Sequence, residues 1–243
     1  MCWTFSRRCA KIISIFHSLE NTVKIIAKIY TEFDEKFGIP RQSGLVAETV
    51  GKIVFEPEYR NPEALRGIEG YSHLWLIWQF SEALRPTWSP TVRPPRLGGN
   101  KRMGVFATRS PYRPNSIGLS SVKLLGVKET EHEGTVLYVG GADLLSGTPI
   151  FDVKPYLAFT DSHPDAIGGF ADEVKEYAIE VEISPDAKAH LSEEDEKKLI
   201  ALLAQDPRPS YKSEDEKIYG MKLGGKEIKF KYENSKLIVT EIE

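Results

Sequence analysis

Two arginines four residues apart, each with a proline within two residues, stand in Arg109-Ser110-Pro111-Tyr112-Arg113-Pro114-Asn115. A guanidinium offers five N–H donors in a planar fork that matches carboxylate and phosphate. Proline fixes φ, so arginines held this way lose less freedom when they engage a ligand. Gly38-Ile39-Pro40-Arg41-Gln42 offers another arginine, with an amide beside it, on a rigid turn. A third segment runs from Asp143 through Ser146, Gly147, Thr148 and Pro149 to Asp152, Lys154 and Tyr156. Ser146-Gly147-Thr148 can present hydroxyls and backbone N–H groups to a polar ligand. Asp152 and Lys154 share one face if their stretch is extended. Each segment also has a plainer reading: a proline turn, a loop with solvated arginines, and a turn followed by an internal salt bridge.

Other chemistries lack their residues. The five histidines have no metal-ligand spacing, so no metal is expected. His73, just before a bulky apolar run, reads as packed and hydrogen-bonded at least as well as catalytic. The glycine fingerprints that cradle dinucleotides or phosphates are missing, as is the serine elbow of the α/β-hydrolases. The two cysteines, Cys2 and Cys9, both precede the body of the chain, which excludes a disulfide framework and a cysteine zinc site there. A reducing cytoplasm fits this usage, and a cytoplasmic protein is expected.

Charge is unevenly spread. The net charge is −3, yet 83–121 carries Arg85, Arg93, Arg96, Lys101, Arg102, Arg109 and Arg113 with no acid, while 161–243 holds 20 acids against 12 Lys and Arg. A one-sign block makes a local field that the net charge hides, and phosphate-rich partners are its usual target. Trp88 and Tyr112 interleave with the arginines and offer faces on which bases stack. The bland alternative is a solvated loop whose charges happen to share a sign.

The elements that must position these groups read as short strands. Val23–Tyr30, Ala47–Phe55, Leu74–Phe80, Val105–Thr108, Leu119–Val127 and Thr135–Leu144 are strand candidates, with Leu74–Phe80 bulky enough to be buried on both faces. Gly and Pro punctuate every connection, which points to a sandwich or barrel. The connection 82–102 is long enough to be functional or mobile. A second unit begins near Phe170, with a strand at Tyr177–Ser184 and a helix capped by Ser192 that Pro207 and Pro209 end. Two or three strands follow over Ile218–Glu243, turning at Gly224-Gly225 and Asn234-Ser235. No apolar run approaches the ~20 residues of a membrane span. The expected division is an extension over 1–21, basic and without a secretory h-region, a barrel over 22–168, and a small α+β domain over 169–243. The residues alone thus support a β-rich protein with an arginine-lined pocket for an anionic ligand.

GIPRQSGL at 38–45, EGYSHLWLIWQF at 69–80, GVFATRSPYRPNSIGLS at 104–120 and DLLSGTPIFDVKPYL at 143–157 together resemble the TsaA-like family, also called TrmO, of tRNA methyltransferases. QDPRPSY at 205–211 and YGM at 219–221 extend the resemblance to the tail. It implies a closed or nearly closed, mainly β barrel that binds S-adenosylmethionine without a Rossmann sheet, and a homodimer. It also implies a substrate, the threonylcarbamoylated adenosine 3′ of the anticodon in the tRNA anticodon stem-loop, methylated on N6. Carried over, the cofactor shell is Pro40, Arg41, Gln42, His73, Leu74, Arg109, Leu119, Ser146, Gly147, Thr148 and Pro149. Ser146 departs from the aspartate common in the family at that place. Asp152 and Tyr156 are candidates for removing the N6 proton. Arg113, Asn115, Lys154, Arg96 and Arg102 are expected to face the RNA, with Arg113 clamping the threonyl carboxylate. Two other classes stay open: a cofactor-binding module without catalysis, and an RNA-binding protein without cofactor.

Overall fold

The computed structural model describes residues 23–97, 101–208 and 217–243. The expected extension over 1–21, the side chain of Arg96 and residues 209–211 of the tail motif lie outside the described residues.

Six strands close a barrel in the order β1-β2-β7-β6-β3-β8. They are β1 (Ala27–Thr31), β2 (Val50–Phe55), β3 (His73–Gln79), β6 (Ile117–Thr130), β7 (Gly134–Gly140) and β8 (Thr148–Pro155), every neighbour antiparallel. Closure pairs each strand on both sides, so no edge is left to recruit other chains. The period-2 alternation of strands fills the interior with Ala27, Ile29, Ile53, Leu74, Leu76, Trp78, Val122, Leu137, Val139 and Ile150. β3 therefore differs from the doubly buried strand expected. Leu74, Leu76 and Trp78 point inward, while His73, Trp75, Ile77 and Gln79 are half-buried on the outer face. Their bulk reads as core in sequence because loops cover them in space. Val105–Ala107 forms a 3-10 turn rather than a strand, with only Val105 buried. β4 (Thr91–Val92) and β5 (Met103–Gly104) pair as a short ribbon within the long connection.

Trp78 sits opposite Gly118 in the β3–β6 register. A Cβ on Gly118 would lie 2.3 Å from the indole ring, so only glycine leaves the ring its place. The ring's Nε1 donates to Ser120 Oγ at 3.0 Å, fixing the tryptophan at the barrel mouth.

A second core forms on the sheet β10-β11-β12-β9, where β9 (Glu180–Ile183) runs parallel to β12 (Lys236–Ile242) and β10 (Ile218–Leu223) and β11 (Lys226–Glu233) complete the meander. Short α-turns at Ala158–Asp161 (α1) and Pro185–Lys188 (α2) precede the longer helix α3 (Glu193–Ala204). Ser192 caps α3, its hydroxyl accepting from Asp195 N at 3.1 Å, and Leu199, Leu202 and Leu203 bury its apolar face. The second core is not built from residues beyond 169 alone. Phe33 and Val46, from the connection between β1 and β2, are buried in it, with Phe37 and Ile39 against its side. Lys198 of α3, its side chain 9% exposed, holds Glu32 at 2.8 Å across the same seam.

Replacing Gly118 by alanine should force Trp78 out of register and cost about 1–3 kcal/mol, the usual penalty of overpacking. Gly70→Ala, where a Cβ meets nothing within 4 Å, is the matched control. Chemical denaturation followed by tryptophan fluorescence checks this, and equal stability of the two variants contradicts it.

Candidate functional site

The segment pinned between the two cores carries Pro40, Arg41 and Gln42 to the mouth of the barrel. Its path is set by backbone bonds, Gly44 N to Gly141 O at 2.9 Å and Gly141 N to Thr49 O at 2.8 Å. Gly141 has φ +73°, and a Cβ there would lie 3.1 Å from the Gly44 backbone N and Cα, so a side chain at 141 would be both strained and crowded. Arg41 is aimed by the second unit, its Nη2 donating to the Asp206 carbonyl at 2.7 Å. Asp206 is itself locked. Burial alone would raise its carboxyl, but Arg208, at 2.8 Å and 3.0 Å, and the Tyr177 hydroxyl, at 3.0 Å, hold it below the ordinary value. The Arg208 guanidinium lies 3.7 Å from the Tyr232 ring centroid.

A cleft of about 690 Å³ opens at this mouth, within the ~300–1,000 Å³ of small-molecule sites. Pro40, Arg41 and Gln42 line one side, Arg109 and Arg113 another, and Leu119, Thr148, Trp75 and Trp78 the barrel rim. Gln42 links two of these segments: its Oε1 accepts from Arg109 Nη1, and its Nε2 donates to the Arg41 carbonyl. Asp143, Leu145 and Thr148 line the same cleft, so three stretches far apart in sequence are brought together.

A residue the sequence reading passed over lies here. Asp143 lines the cleft, and its Oδ1 accepts from the Ser120 hydroxyl at 2.6 Å. The indole N–H can only donate, so Ser120 accepts from Trp78 and must give its one proton to Asp143. Burial pushes the Asp143 carboxyl above its ordinary value, against the opposing pull of Ser120, of the Asp143 and Ser43 backbones and of the Arg109 charge. The one sequence signal was an acid set between the apolar Ala142 and Leu144-Leu145, which does not by itself reveal burial.

Other expected residues are spent elsewhere, and of residues 146–149 only Thr148 lines the cleft. Ser146, Gly147 and Thr148 do not present their N–H groups. These are bonded to Phe33 O (2.8 Å), Ile29 O (2.8 Å) and Leu145 O (3.2 Å), because the segment is the turn that docks β8 onto β1. Ser146 Oγ faces the Thr31 N–H at 3.4 Å, and Pro149 pairs with Lys28 in the β1–β8 register. The Leu74 side chain is buried in the barrel. Asp152 and Lys154 do share a face, the outer face of β8 opposite Ile77 and Trp75, and are spent on each other at 2.9 Å. A bulge between Ile77 and Trp78 shifts the parity of β8 and turns Asp152 outward. Tyr156 packs beside Trp75 at 5.4 Å and His73 at 6.2 Å, and the His73 Nδ1 sits 2.9 Å from Ser72 Oγ. None of these four lines the cleft in the single chain.

A second, larger cleft of about 1610 Å³ shares the Arg109–Arg113 wall. Seven arginines and Lys36 line it, Arg85, Arg93, Arg102 and Arg208 among them, with no acid among the described lining residues. Asn115 lines it as well. Arg85 lies over the Tyr112 ring at 3.8 Å, and Trp88 and Phe106 stack at 5.9 Å with both rings exposed. Among the described residues no group of His, Cys, Asp and Glu could hold a metal ion, and no helix is long and apolar enough to cross a membrane.

The family model of the tRNA-methyltransferase O N-terminal domain matches residues 28–162, and that of the TrmO C-terminal domain matches 176–243. The chain is 42% identical over 205 residues to tRNA (adenine(37)-N6)-methyltransferase of Escherichia coli K12, covering 79% of this chain and 83% of that protein. It is 41% identical over 228 residues to a putative S-adenosylmethionine-dependent methyltransferase, RcsF, of Pseudomonas aeruginosa, covering 90% and 96%. A crystal structure of TrmO from Pseudomonas aeruginosa superposes with TM-score 0.72 at 33% identity, over 91% of this chain and 98% of that one. With both domain models matched in order, and a solved relative sharing barrel and C-terminal unit alike, the chain belongs to the TrmO family.

Proposed function

We propose that this chain transfers a methyl group from S-adenosylmethionine to N6 of adenosine 37 in tRNA, and that its acceptor is the threonylcarbamoylated form of that base. The reading rests on one observation above the others: separated segments build a single small-molecule cleft that shares a wall with an arginine-lined groove, which has no acid among its described lining residues. The names of the Escherichia coli and Pseudomonas aeruginosa relatives support the same reading.

The residues present fit the cofactor's chemistry. Arg109 suits its carboxylate, and the Trp75 and Trp78 rings suit a flat base or a sulfonium charge. When bound, the cofactor supplies an already activated methyl group, so the protein's work is to orient the acceptor and exclude water. Gln42 ties Arg109 to the segment that carries Arg41, and the Asp206 carbonyl holds the Arg41 side chain, before any ligand arrives. Arg113, on the wall common to both clefts, holds the threonyl carboxylate. One of its N–H donors is given to Thr108 O at 2.8 Å, which fixes the direction of the fork. The groove arginines, Arg93 and Arg102 among them, neutralise phosphates of the anticodon stem-loop, while Trp88, Phe106 and Tyr112 offer stacking faces to its unpaired bases. A homodimer and a cytoplasmic site of action, where tRNA is modified, belong to this reading.

Tritiated methyl transfer to total tRNA tests the function. Label should enter tRNA that carries the threonylcarbamoyl group and fall to background in tRNA that lacks it. Equal labelling of both would remove the finer substrate, and no labelling of either the activity. Arg113→Ala should lower kcat/KM on the modified tRNA about 10–100-fold, the scale of a lost charge-assisted bond; a variant with full activity rules out the clamp. Light scattering should give twice the 27.4 kDa chain mass, and the single-chain mass would refute the dimer.

A further inference from the structure

We infer that Asp143 is the group that takes the N6 proton of the acceptor base. The inference rests on the proposed methyl transfer and adds to it the residue that makes the nitrogen nucleophilic. The N6 electron pair is shared with the purine and the carbamoyl carbonyl, so the nitrogen is a poor nucleophile until its proton leaves. A base must therefore stand in the cleft itself, within hydrogen-bond reach of the acceptor.

Asp143 is the carboxylate held inside the cofactor-sized cleft by hydrogen bonds; Glu82, the other acid on that lining, has its side chain largely in solvent and lies 3.9 Å from Lys36. Asp143 is also held still. The Trp78 indole fixes Ser120, and Ser120 fixes Oδ1, so the orientation of the carboxylate is set before the substrate binds. The groups facing it are Ser120 from β6, the Ser43 backbone from the inter-core segment and Arg109 from the arginine loop. Arg41 and Arg113 line the same cleft. Partial burial keeps its basicity above that of a solvated carboxylate, while the hydrogen bonds and Arg109 keep the ionised form accessible. Asp152 cannot serve in this way while it is paired to Lys154 on the outer face of β8.

In the step, the N6–H proton passes to a carboxylate oxygen of Asp143. The N6 electron pair forms the new bond to the methyl carbon as that carbon's bond to sulfur breaks, its pair remaining on sulfur. Asp143 then returns the proton to solvent. Atoms and charge balance without a further reactant.

Two variants test this, each read by transfer rate against pH and by calorimetric binding of S-adenosylhomocysteine. Asp143→Asn keeps the shape and removes the base. It should transfer methyl at least ~100-fold more slowly, lose the rise in rate with pH on the acid side, and bind S-adenosylhomocysteine within about twofold of the wild type, as expected for a residue that contacts the acceptor. Ser120→Ala removes the bond that favours the ionised carboxylate, so the Asp143 pKa rises and the acid limb should move up by about one pH unit. An active wild type with an equally active Asp143→Asn variant overturns the inference. So does an Asp143→Asn variant whose binding falls in step with its rate, which would make Asp143 a cofactor contact. A wild type that methylates no tRNA overturns the functional reading, and this inference with it.

Discussion

The site depends on one short stretch of backbone that belongs to two cores at once. Residues 32–46 leave the barrel after β1, bury Phe33 and Val46 in the second core, and return at β2. A loop carrying Pro40, Arg41 and Gln42 would otherwise be free to sample many conformations, each with its own entropy to lose on binding. Burying Phe33 and Val46 in the second core, while β1 and β2 hold the flanks in the barrel, removes that freedom in advance. The Lys198–Glu32 pair and the Arg41–Asp206 bond run across the same seam, so the second unit acts on the cleft through contact. A charge pair as buried as this one contributes little net stability, because desolvation offsets the attraction, and its effect is to fix one relative placement of the two units.

The barrel supplies what the loop lacks. Closure leaves inward side chains no alternative packing, and at the mouth that rigidity passes to polar groups. Gly118 admits the Trp78 ring, the ring orients Ser120, and Ser120 orients Asp143. A glycine with no chemistry of its own thus sets the direction of a carboxylate in the connection between β7 and β8. The separation of roles follows from the charges: the small cleft holds a half-buried acid among aromatic rings, while the charged groups among the described residues of the groove beside it are all cations. A polyanion is drawn to the second, and only a group that suits partial desolvation is stabilised in the first.

Much of the fold was legible. The last three strands were expected because Tyr219, Met221, Leu223, Ile228, Phe230, Leu237 and Val239 alternate and glycine or asparagine marks each turn. The helix after Ser192 announced itself by its cap. β8 was not read as a strand, since Pro149, Asp152 and Lys154 break its apolar pattern and only the closed barrel supplies its partners. Val105–Ala107 misled because three apolar residues do not distinguish a strand from a 3-10 turn. The arginine and Pro-Arg-Gln segments were legible as candidates, since residue type carries that signal. Asp143 was not, because the burial of one acid is a property of the assembled mouth. The turn at Ser146-Gly147-Thr148 was misjudged for the same reason, its donors being spent on β1 and its own turn.

In the proposed function the methyl donor occupies the small cleft at the barrel mouth. Diffraction from crystals of this protein grown with S-adenosylhomocysteine tests it most directly. The account predicts ligand density bounded by Gln42, Arg109 and Trp78, with Asp143 facing open space on the groove side. Density on the outer face of β8, beside His73 and Asp152 and away from that mouth, would contradict it.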